Sequence, residues 1–220
     1  MVTDLLQQLS NHQNNDRALS MSKYMKGHFQ FYGIPSPSRK SIQKEWLSSL
    51  SSNLTIDEKW QLVLDLWKQP HRECHYVACD WTAKWKGKEL RLTDIEYIKE
   101  LIVNNSWWDS VDALAPNLLN TYFLRYPEME GKTVEEWLGS DNLWLKRSCL
   151  IFQLKRKQQT DKDRLVLAIS KLKQEKEFFI QKAIGWSLRQ LARTYPHEVR
   201  KIVVEQELKG LALREATKYL

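Results

Sequence analysis

Apolar residues recur along the chain at the three- to four-residue spacing of amphipathic helices. In one segment, Ile56, Trp60, Val63, Leu64 and Trp67 lie on a single helical face. The segment 165–172 shows the same spacing less regularly. No stretch of useful length alternates between apolar and polar residues with the period of two that marks a strand. The pattern therefore predicts an all-α chain.

Helix starts are marked by Thr-x-x-Glu sequences beginning at Thr55, Thr93 and Thr133. In such a capping box the hydroxyl accepts a backbone N–H bond, and the glutamate three residues later accepts one from the cap residue. Thr160, followed by Asp163, is a weaker version. Turns are predicted between the helices at Gln69-Pro70, Asn104-Asn105, 140–142 and Tyr195-Pro196.

A degenerate repeat places Asp112, Arg147 and Lys182 at intervals of 35 residues. Aromatic residues precede each position by three or four residues: Trp108, Trp144 and Phe178. Paired helices with a period of about 35–40 residues are typical of α-solenoids of HEAT-like repeats. We expect equivalent positions to line one concave groove, although accidental spacing in an antiparallel bundle would give the same intervals.

This repeat predicts a single domain over residues 1–220, with an N-terminal helical cap (1–40) followed by stacked helix pairs (41–220). A chain of this length buries enough surface to fold without disulfides or metals. Only 7 Gly and 6 Pro are present, which favours the all-α interpretation, whereas the 10 Trp must serve as core or as a stacking surface.

Charge is concentrated in the second half of the chain. Of the net +7, residues 111–220 carry +6, and residues 146–157 include five basic residues and no acidic one. A one-sided basic field raises the local concentration of polyanions such as nucleic acid. The alternative is a solvated helix face that binds nothing.

Several features predict a cytoplasmic protein. There is no apolar run of about 18 residues that could span a membrane, and the N-terminal stretch lacks the apolar segment of a signal peptide. Three cysteines, Cys74, Cys79 and Cys149, cannot all pair within one chain, which indicates a reduced compartment.

His71, Cys74, His75 and Cys79 have the residue types of a metal site, at i, i+3, i+4 and i+8 on one helical face. Positions i and i+8 lie ~12 Å apart along a helix axis, so one helix cannot wrap four ligands around zinc. A small, half-buried helix face is the favoured interpretation. No glycine-rich phosphate loop is present, and we expect neither a metal nor a cofactor.

The strongest candidate for chemistry is the pair Trp108 and Asp112, which share a helical face four residues apart. A carboxylate repels the polyanion that a basic groove attracts, so its presence there suggests a catalytic or cation-recognising role. The alternatives are a core tryptophan and a salt bridge from Asp112 to Arg147 or Lys182.

Two further stretches supply candidate binding residues. A glycine within a helical pattern costs ~1 kcal/mol relative to alanine, so Gly185 indicates that a neighbouring helix or a ligand approaches closely near Trp186. Arg189, three residues after Trp186, suits stacking and phosphate contact. The aromatic and basic segment 20–35 is either an N-terminal cap or one end of a groove.

In chain order, Tyr24-Met-Lys26 with Phe-x-Gly33-Ile, Ser-Trp-Trp-Asp-Ser-Val-Asp112, Leu-Trp-Leu-Lys-Arg147 and Lys182-Ala-Ile-Gly-Trp186-Ser-Leu-Arg189 resemble the DNA alkylation repair proteins of the AlkD type. The resemblance covers nearly the whole chain from about Ser20. It implies a HEAT-like superhelix that binds duplex DNA in a basic concave groove. It further implies excision of N-alkylated purines, chiefly 7-alkylguanine and 3-alkyladenine, by cleavage of the glycosidic bond.

Carried onto this sequence, the resemblance makes Asp112 the catalytic carboxylate and Arg147 an essential DNA-contacting arginine. Trp108 and Trp186 would be the aromatic pair beside the lesion. Supporting DNA contacts would come from Tyr24, Lys26, Arg39, Lys146, Lys182 and Arg189. The resemblance further implies excision without a base-flipping pocket. The lack of an obvious amine nucleophile favours a monofunctional glycosylase, and we expect a monomer without a cofactor as the default. Two alternatives stay open: a non-catalytic HEAT-repeat protein that recognises damaged or branched DNA by shape, and a scaffold for an acidic protein.

Overall fold

The computed structural model describes all 220 residues, which form fourteen α-helices and several short 3₁₀ turns. An isolated bridge between Gln30 and His71 is the only strand-like pairing, so the predicted all-α class is confirmed. None of the helices has both the length and the apolar character needed to cross a membrane. The chain divides into two compact units, Met1–Trp85 and Lys86–Leu220.

The first unit contains five helices: α1 (Val2–Asn11), α2 (Asn15–Tyr24), α3 (Ser36–Ser49), α4 (Ile56–Trp67) and α5 (Arg72–Thr82). Tryptophans fill much of its core. Trp46 packs edge-on against Trp81 with ring centroids 5.6 Å apart, and Trp60 packs against Trp85 in the same way at 4.9 Å. Half of the ten tryptophans thus serve as core in this unit, namely Trp46, Trp60, Trp67, Trp81 and Trp85.

A buried carboxylate anchors the segment that connects α2 to α3. Glu73 accepts hydrogen bonds from the backbone N–H groups of Tyr32 (3.0 Å), Gly33 (2.9 Å) and Ile34 (3.2 Å). Gly33 has φ +83°, and a Cβ there would lie 2.1 Å from the Asn14 carbonyl oxygen. Only glycine fits that position. The boundary predicted at residue 40 falls inside α3.

The histidine and cysteine face of α5 is more deeply buried than the half-buried face predicted. His75 and Cys74 are both enclosed. The His75 ring nitrogens bind the Arg72 guanidinium at 3.0 Å and the Gln69 carbonyl at 3.0 Å. Burial raises the pKa of Cys74 to about 12, so this thiol stays protonated and unreactive.

The second unit contains α6 (Ile95–Val103), α7 (Trp108–Leu114), α8 (Asn120–Arg125), α9 (Pro127–Leu138), α10 (Leu143–Ile151), α11 (Lys162–Leu172), α12 (Phe178–Ala192), α13 (Pro196–Glu205) and α14 (Gly210–Ala216). A π-helical turn, Ala115–Leu119, joins α7 to α8 and contains Pro116. Within this unit α10 packs against α7 and α12, and α12 packs against α14. The HEAT-like fold class is confirmed.

A helix begins within two residues of three of the four predicted starts, Thr55, Thr93 and Thr160, but the predicted capping box forms only at Thr55. Thr55 caps α4, with its hydroxyl 3.2 Å from the Glu58 N–H and the Glu58 carboxylate 2.8 Å from the Thr55 N–H. No capping box forms at Thr93, because this residue lies in a 3₁₀ turn that continues into α6, whose cap residue is Asp94. Asp161, one residue after Thr160, caps α11 through a bond from the Arg164 N–H.

The predicted cap at Thr133 is also wrong, since α9 begins six residues earlier at Pro127 and buries Thr133 in its middle. Proline is well suited to the first turn of a helix because its fixed φ is already helical and its missing N–H has no partner there. A start signal in the sequence was therefore overridden by a second one upstream.

The close approach predicted at Gly185 is confirmed. A Cβ on Gly185 would lie 2.3 Å from Glu215 Cβ and 2.9 Å from the Ala212 carbonyl oxygen, both on α14. The absent side chain lets α12 and α14 pack backbone against backbone.

We expect Gly185→Ala to destabilise the protein by ~1–3 kcal/mol, because overpacking must move α14 and outweighs the better helix propensity of alanine. Gly131→Ala on α9 is the matched control, since its Cβ would make an ordinary 3.4 Å contact with the Arg164 side chain. That variant should gain ~0.5–1 kcal/mol. Urea denaturation of both variants measures the difference, and a stabilising Gly185→Ala would contradict the packing argument.

Candidate functional site

The predicted residues Asp112 and Arg147 form a bidentate ion pair. Arg147 Nε lies 2.8 Å from Asp112 Oδ1, and Arg147 Nη2 lies 2.8 Å from Asp112 Oδ2. Asp112 is on α7 and Arg147 is on α10, two helices that pack together. Parallel N–H···O bonds of this kind fix the plane of the carboxylate as well as its position.

The third nitrogen of the Arg147 guanidinium reaches a third helix. Nη1 donates to the carbonyl oxygen of Phe179 on α12 at 2.5 Å, and the guanidinium carbon lies 5.9 Å from the Phe179 ring centroid. The Arg147 side chain is 5% exposed. Because its nitrogens are already bound within the protein, this arginine orients Asp112, and the predicted direct contact with DNA would require it to leave this arrangement.

Asp112 keeps an accessible edge, with 19% of its side chain exposed. Burial raises the pKa of Asp112 above the ordinary carboxyl value, although the hydrogen bonds from Arg147 act in the opposite direction. A carboxylate has about four lone-pair sites, of which Arg147 uses two. The arrangement therefore offers a fixed, partly desolvated negative charge that can still accept a water molecule or face a cation.

Three aromatic rings form a cluster beside this ion pair. The Trp107 ring centroid lies 5.7 Å from Trp144 and 5.2 Å from Phe179, and Trp144 lies 5.2 Å from Phe179. All three side chains are partly exposed. Trp107 is not among the residues predicted from the sequence, although it is adjacent to the predicted Trp108.

The predicted tryptophans Trp108 and Trp186 lie on α7 and α12, the two helices that Arg147 connects to its own. Trp108 is one turn before Asp112, and Trp186 is one turn after Lys182. Both indoles are partly exposed. Neither is a fully buried core tryptophan, which was the alternative for Trp108.

Glu215 is the functional-site neighbour that sequence reasoning missed. It is buried on α14 and binds Lys182 at 3.0 Å, Lys218 at 3.1 Å and also Arg189. Its three cationic partners, first of all Lys182, lower the pKa of Glu215 to about 2. The predicted DNA contacts Lys182 and Arg189 are thus brought together by a shared carboxylate, which nothing in their sequence spacing indicated.

Several other basic residues of the second half are also paired within the protein. Lys146, a predicted DNA contact, lies 2.7 Å from Glu175. The Arg156 side chain is 7% exposed and binds Glu130 at 2.7 Å, and Lys155 binds the Asn117 side chain. The basic run 146–157 is therefore not a uniformly solvated helix face, which was the alternative interpretation of its charge.

The predicted contacts in the first unit differ in availability. Tyr24 is 72% exposed, and Lys26 is exposed with the left-handed φ of +55°. Arg39 is instead buried and donates to Asp80 at 2.8 Å and to Gln43 at 3.1 Å. This placement argues against the DNA contact predicted for Arg39, because a phosphate would have to displace Asp80.

Comparisons with known proteins agree over almost the whole chain. The family model described as DNA alkylation repair enzyme matches residues 5–220. A solved structure described as a predicted DNA alkylation repair enzyme from Enterococcus faecalis is 33% identical, with a TM-score of 0.85 over 95% of this chain and 97% of that one. A search of curated proteins gave no match.

We expect a double-mutant cycle on Asp112 and Arg147 to show strong coupling. Arg147→Met should cost ~3–5 kcal/mol of stability, because it leaves a partly buried carboxylate without its counter-ion. Adding Asp112→Asn should recover part of that loss, giving a coupling free energy of about 2 kcal/mol in urea denaturation. The control cycle uses the exposed pair Lys99 and Glu136, also 2.8 Å apart, where ~0.2–1 kcal/mol is expected. Equal coupling in the two cycles would contradict the special role of the Asp112 pair.

The Glu215 cluster predicts a specific acid sensitivity. A carboxyl whose folded pKa is about 2 instead of 4.5 contributes stability that is fully present above about pH 5 and is lost as the pH falls toward about 2. The stability difference between wild type and Glu215→Gln should therefore be largest at pH 7 and shrink toward pH 2. Glu198→Gln, which removes a more exposed carboxylate 4.0 Å from Lys162, is the control and should show little pH-dependent difference. A Glu215→Gln deficit that stays constant with pH would mean that the residue acts by packing alone.

Proposed function

The chain belongs to the DNA alkylation repair enzyme family, and on this premise we propose that it is a monofunctional DNA N-glycosylase that excises cationic alkylated purines from duplex DNA. Its substrates would be 7-alkylguanine and 3-alkyladenine. The observation that carries the proposal is the Asp112 carboxylate, which Arg147 holds in a defined orientation with one edge accessible, one turn after an accessible indole.

The chemistry requires little beyond such a carboxylate. An N7- or N3-alkylated purine carries a positive charge, so it is already a good leaving group and needs no general acid to protonate it. As the bond between C1′ and the base nitrogen breaks, its electron pair moves onto the base and neutralises it. The deoxyribose is left as an oxocarbenium ion, whose positive charge has to be stabilised.

We assign this stabilisation to Asp112. A carboxylate that is already oriented before the reaction does not have to reorganise as positive charge develops, and its effect is larger where water is partly excluded. Water then attacks C1′ and loses a proton toward the same carboxylate or to solvent. The products are a neutral free base and an abasic site.

Arg147 acts in this scheme as a positioning residue, because its nitrogens are bound to Asp112 and to the Phe179 carbonyl. Trp108 and Trp186 would hold the cationic nucleotide through cation–π contacts. Both indoles are partly exposed, which supports recognition of the lesion at an accessible surface instead of in a deep base-flipping pocket.

Binding of the duplex would rely on the basic residues of the second half and on Tyr24 and Lys26. Lys146, Lys182 and Arg189 are retained as proposed contacts, although each is paired with Glu175 or Glu215. An ammonium group that binds one carboxylate still has further N–H donors for a phosphate. We propose that the protein acts as a monomer.

One observation supports a second candidate, a non-catalytic protein that binds damaged or branched DNA by shape. Asp112 and Arg147 form a one-to-one ion pair within the protein. A purely structural ion pair would show the same geometry. The two functions differ in whether any base is released.

The test is release of free base from a duplex oligonucleotide carrying a single 7-methylguanine. Wild type should release it, and Asp112→Asn should lose at least ~10²-fold in single-turnover rate, as expected when a preorganised electrostatic contact is removed. DNA affinity should be unchanged or higher, since a repulsive charge has been removed.

The matched control is Asp109→Asn, one turn earlier on the same helix and similarly accessible, which should keep the wild-type rate. Equal rates for Asp112→Asn and wild type would overturn the assignment of Asp112. Tight binding with no base release by any variant would favour the shape-reading alternative.

A further inference from the structure

A basic cleft lies in the first unit between α3 and α5. It has a volume of about 300 Å³ and is lined by Lys40, Gln43, Lys44, Leu47, Asp80 and Lys84. Neither the sequence motifs nor the proposed chemistry uses these residues. The cleft is accessible to solvent, and all three lysines are exposed.

The charge in the cleft is not compensated. Lys40 and Lys44 are one turn apart on α3, and Lys84 lies two residues after the last residue of α5. None of the three ammonium groups pairs with a carboxylate. Asp80 is the only acidic residue in the lining, and it is already held by Arg39 at 2.8 Å. The cleft therefore presents three cations beside a neutral ion pair.

The floor of the cleft is built from buried polar side chains that join the two helices. Arg39 donates to Gln43 at 3.1 Å and to Asp80 at 2.8 Å, and Gln43 donates to the Val77 carbonyl at 3.3 Å. Arg39 and Gln43 are both buried. These bonds fix α3 against α5, so the two walls that carry the lysines are held at a constant separation.

Helix electrostatics explain only part of this arrangement. Lys84 lies at the carboxyl end of α5, where the helix dipole favours a cation. Lys40 and Lys44 lie well before the carboxyl end of α3, and the first turn of that helix contains no acidic residue. Two of the three like charges thus have no partner in the protein that favours their proximity, which indicates an anion from outside.

We propose that Lys40, Lys44 and Lys84 bind successive phosphates of a DNA backbone. Separate flexible ammonium groups along an open cleft suit a chain of phosphates, whereas a single enclosed phosphate is usually held by backbone N–H groups or arginine forks. The proposal takes DNA as the polyanion because of the proposed function, and it depends on that function for nothing else. It also replaces the contact expected from Arg39: the buried arginine positions Asp80 and Gln43, and its lysine neighbours meet the ligand.

The experiment compares two charge-matched double variants in binding to an undamaged duplex oligonucleotide over a range of salt concentrations. The cleft variant is Lys40→Gln with Lys44→Gln on α3, and the control is Lys59→Gln with Lys68→Gln at α4. Each lost phosphate contact reduces the steepness of log K against log salt concentration by about 0.9. If variant and wild type bind equally at 1 M salt, each lost contact lowers the affinity about eightfold at 0.1 M salt. The cleft variant should lose one to two such contacts, and the control should lose none. Lys84→Gln should remove a further contact when added to the cleft variant.

Melting curves of both doubles test for a folding defect, which matters most for Lys59, since its side chain is partly buried while the other three are exposed. Equal losses of affinity in the two doubles would overturn the proposal, since the effect would then be that of net charge alone. Unchanged DNA binding combined with a lysine-dependent melting shift in inorganic phosphate would also overturn it and identify a site for a free anion.

The same preparations separate this inference from the proposed glycosylase. If wild type releases 7-methylguanine and the cleft double binds DNA normally, the cleft inference alone fails. If wild type binds DNA through the cleft and releases no base, the glycosylase alone fails. For an active wild type, the cleft double should lose affinity while keeping the single-turnover rate at saturating DNA, because no residue near Asp112 has been changed.

Discussion

One guanidinium group organises the second unit. Arg147, on α10, donates two bonds to Asp112 on α7 and one to the Phe179 carbonyl on α12, so a single side chain ties three helices together. Such an arginine is favourable only if all of its partners remain in place, because a buried charge without a counter-ion is costly. The position of the candidate catalytic carboxylate is therefore coupled to the packing of the helices that surround it.

The same constraint applies to several other cations of this unit. Lys182 and Arg189 share Glu215, Lys146 binds Glu175, and Arg156 binds Glu130. A protein that must attract a polyanion while keeping a compact helical stack has to limit repulsion between its own basic residues, and internal carboxylates do this. The α3–α5 cleft differs because three lysines without a carboxylate partner line one cavity, and this clustering suggests an external partner.

The helical periodicity predicted the all-α class, and the repeated spacing predicted its HEAT-like character. The interval of 35 residues between Asp112 and Arg147 led to a salt bridge as one of the predicted alternatives, and the structure contains it. Gly185 correctly indicated a close contact between helices. The capping boxes predicted at Thr93 and Thr133 do not form, because local start signals compete with others nearby and packing decides between them. The sequence motifs led to Trp108 but not to the Trp107, Trp144 and Phe179 cluster.

The sequence by itself determined the kind of protein: a helical repeat chain with a positive second half and a family-specific order of tryptophan, aspartate and arginine. These properties depend on residue type and on spacing along the chain, both of which can be read without knowing which helices pack together. Only the tertiary structure decided which cations are available, because that depends on carboxylates brought from distant helices. It withdrew Arg39 into a buried ion pair, placed Glu215 beneath Lys182 and Arg189, and left Lys40, Lys44 and Lys84 around an open cleft.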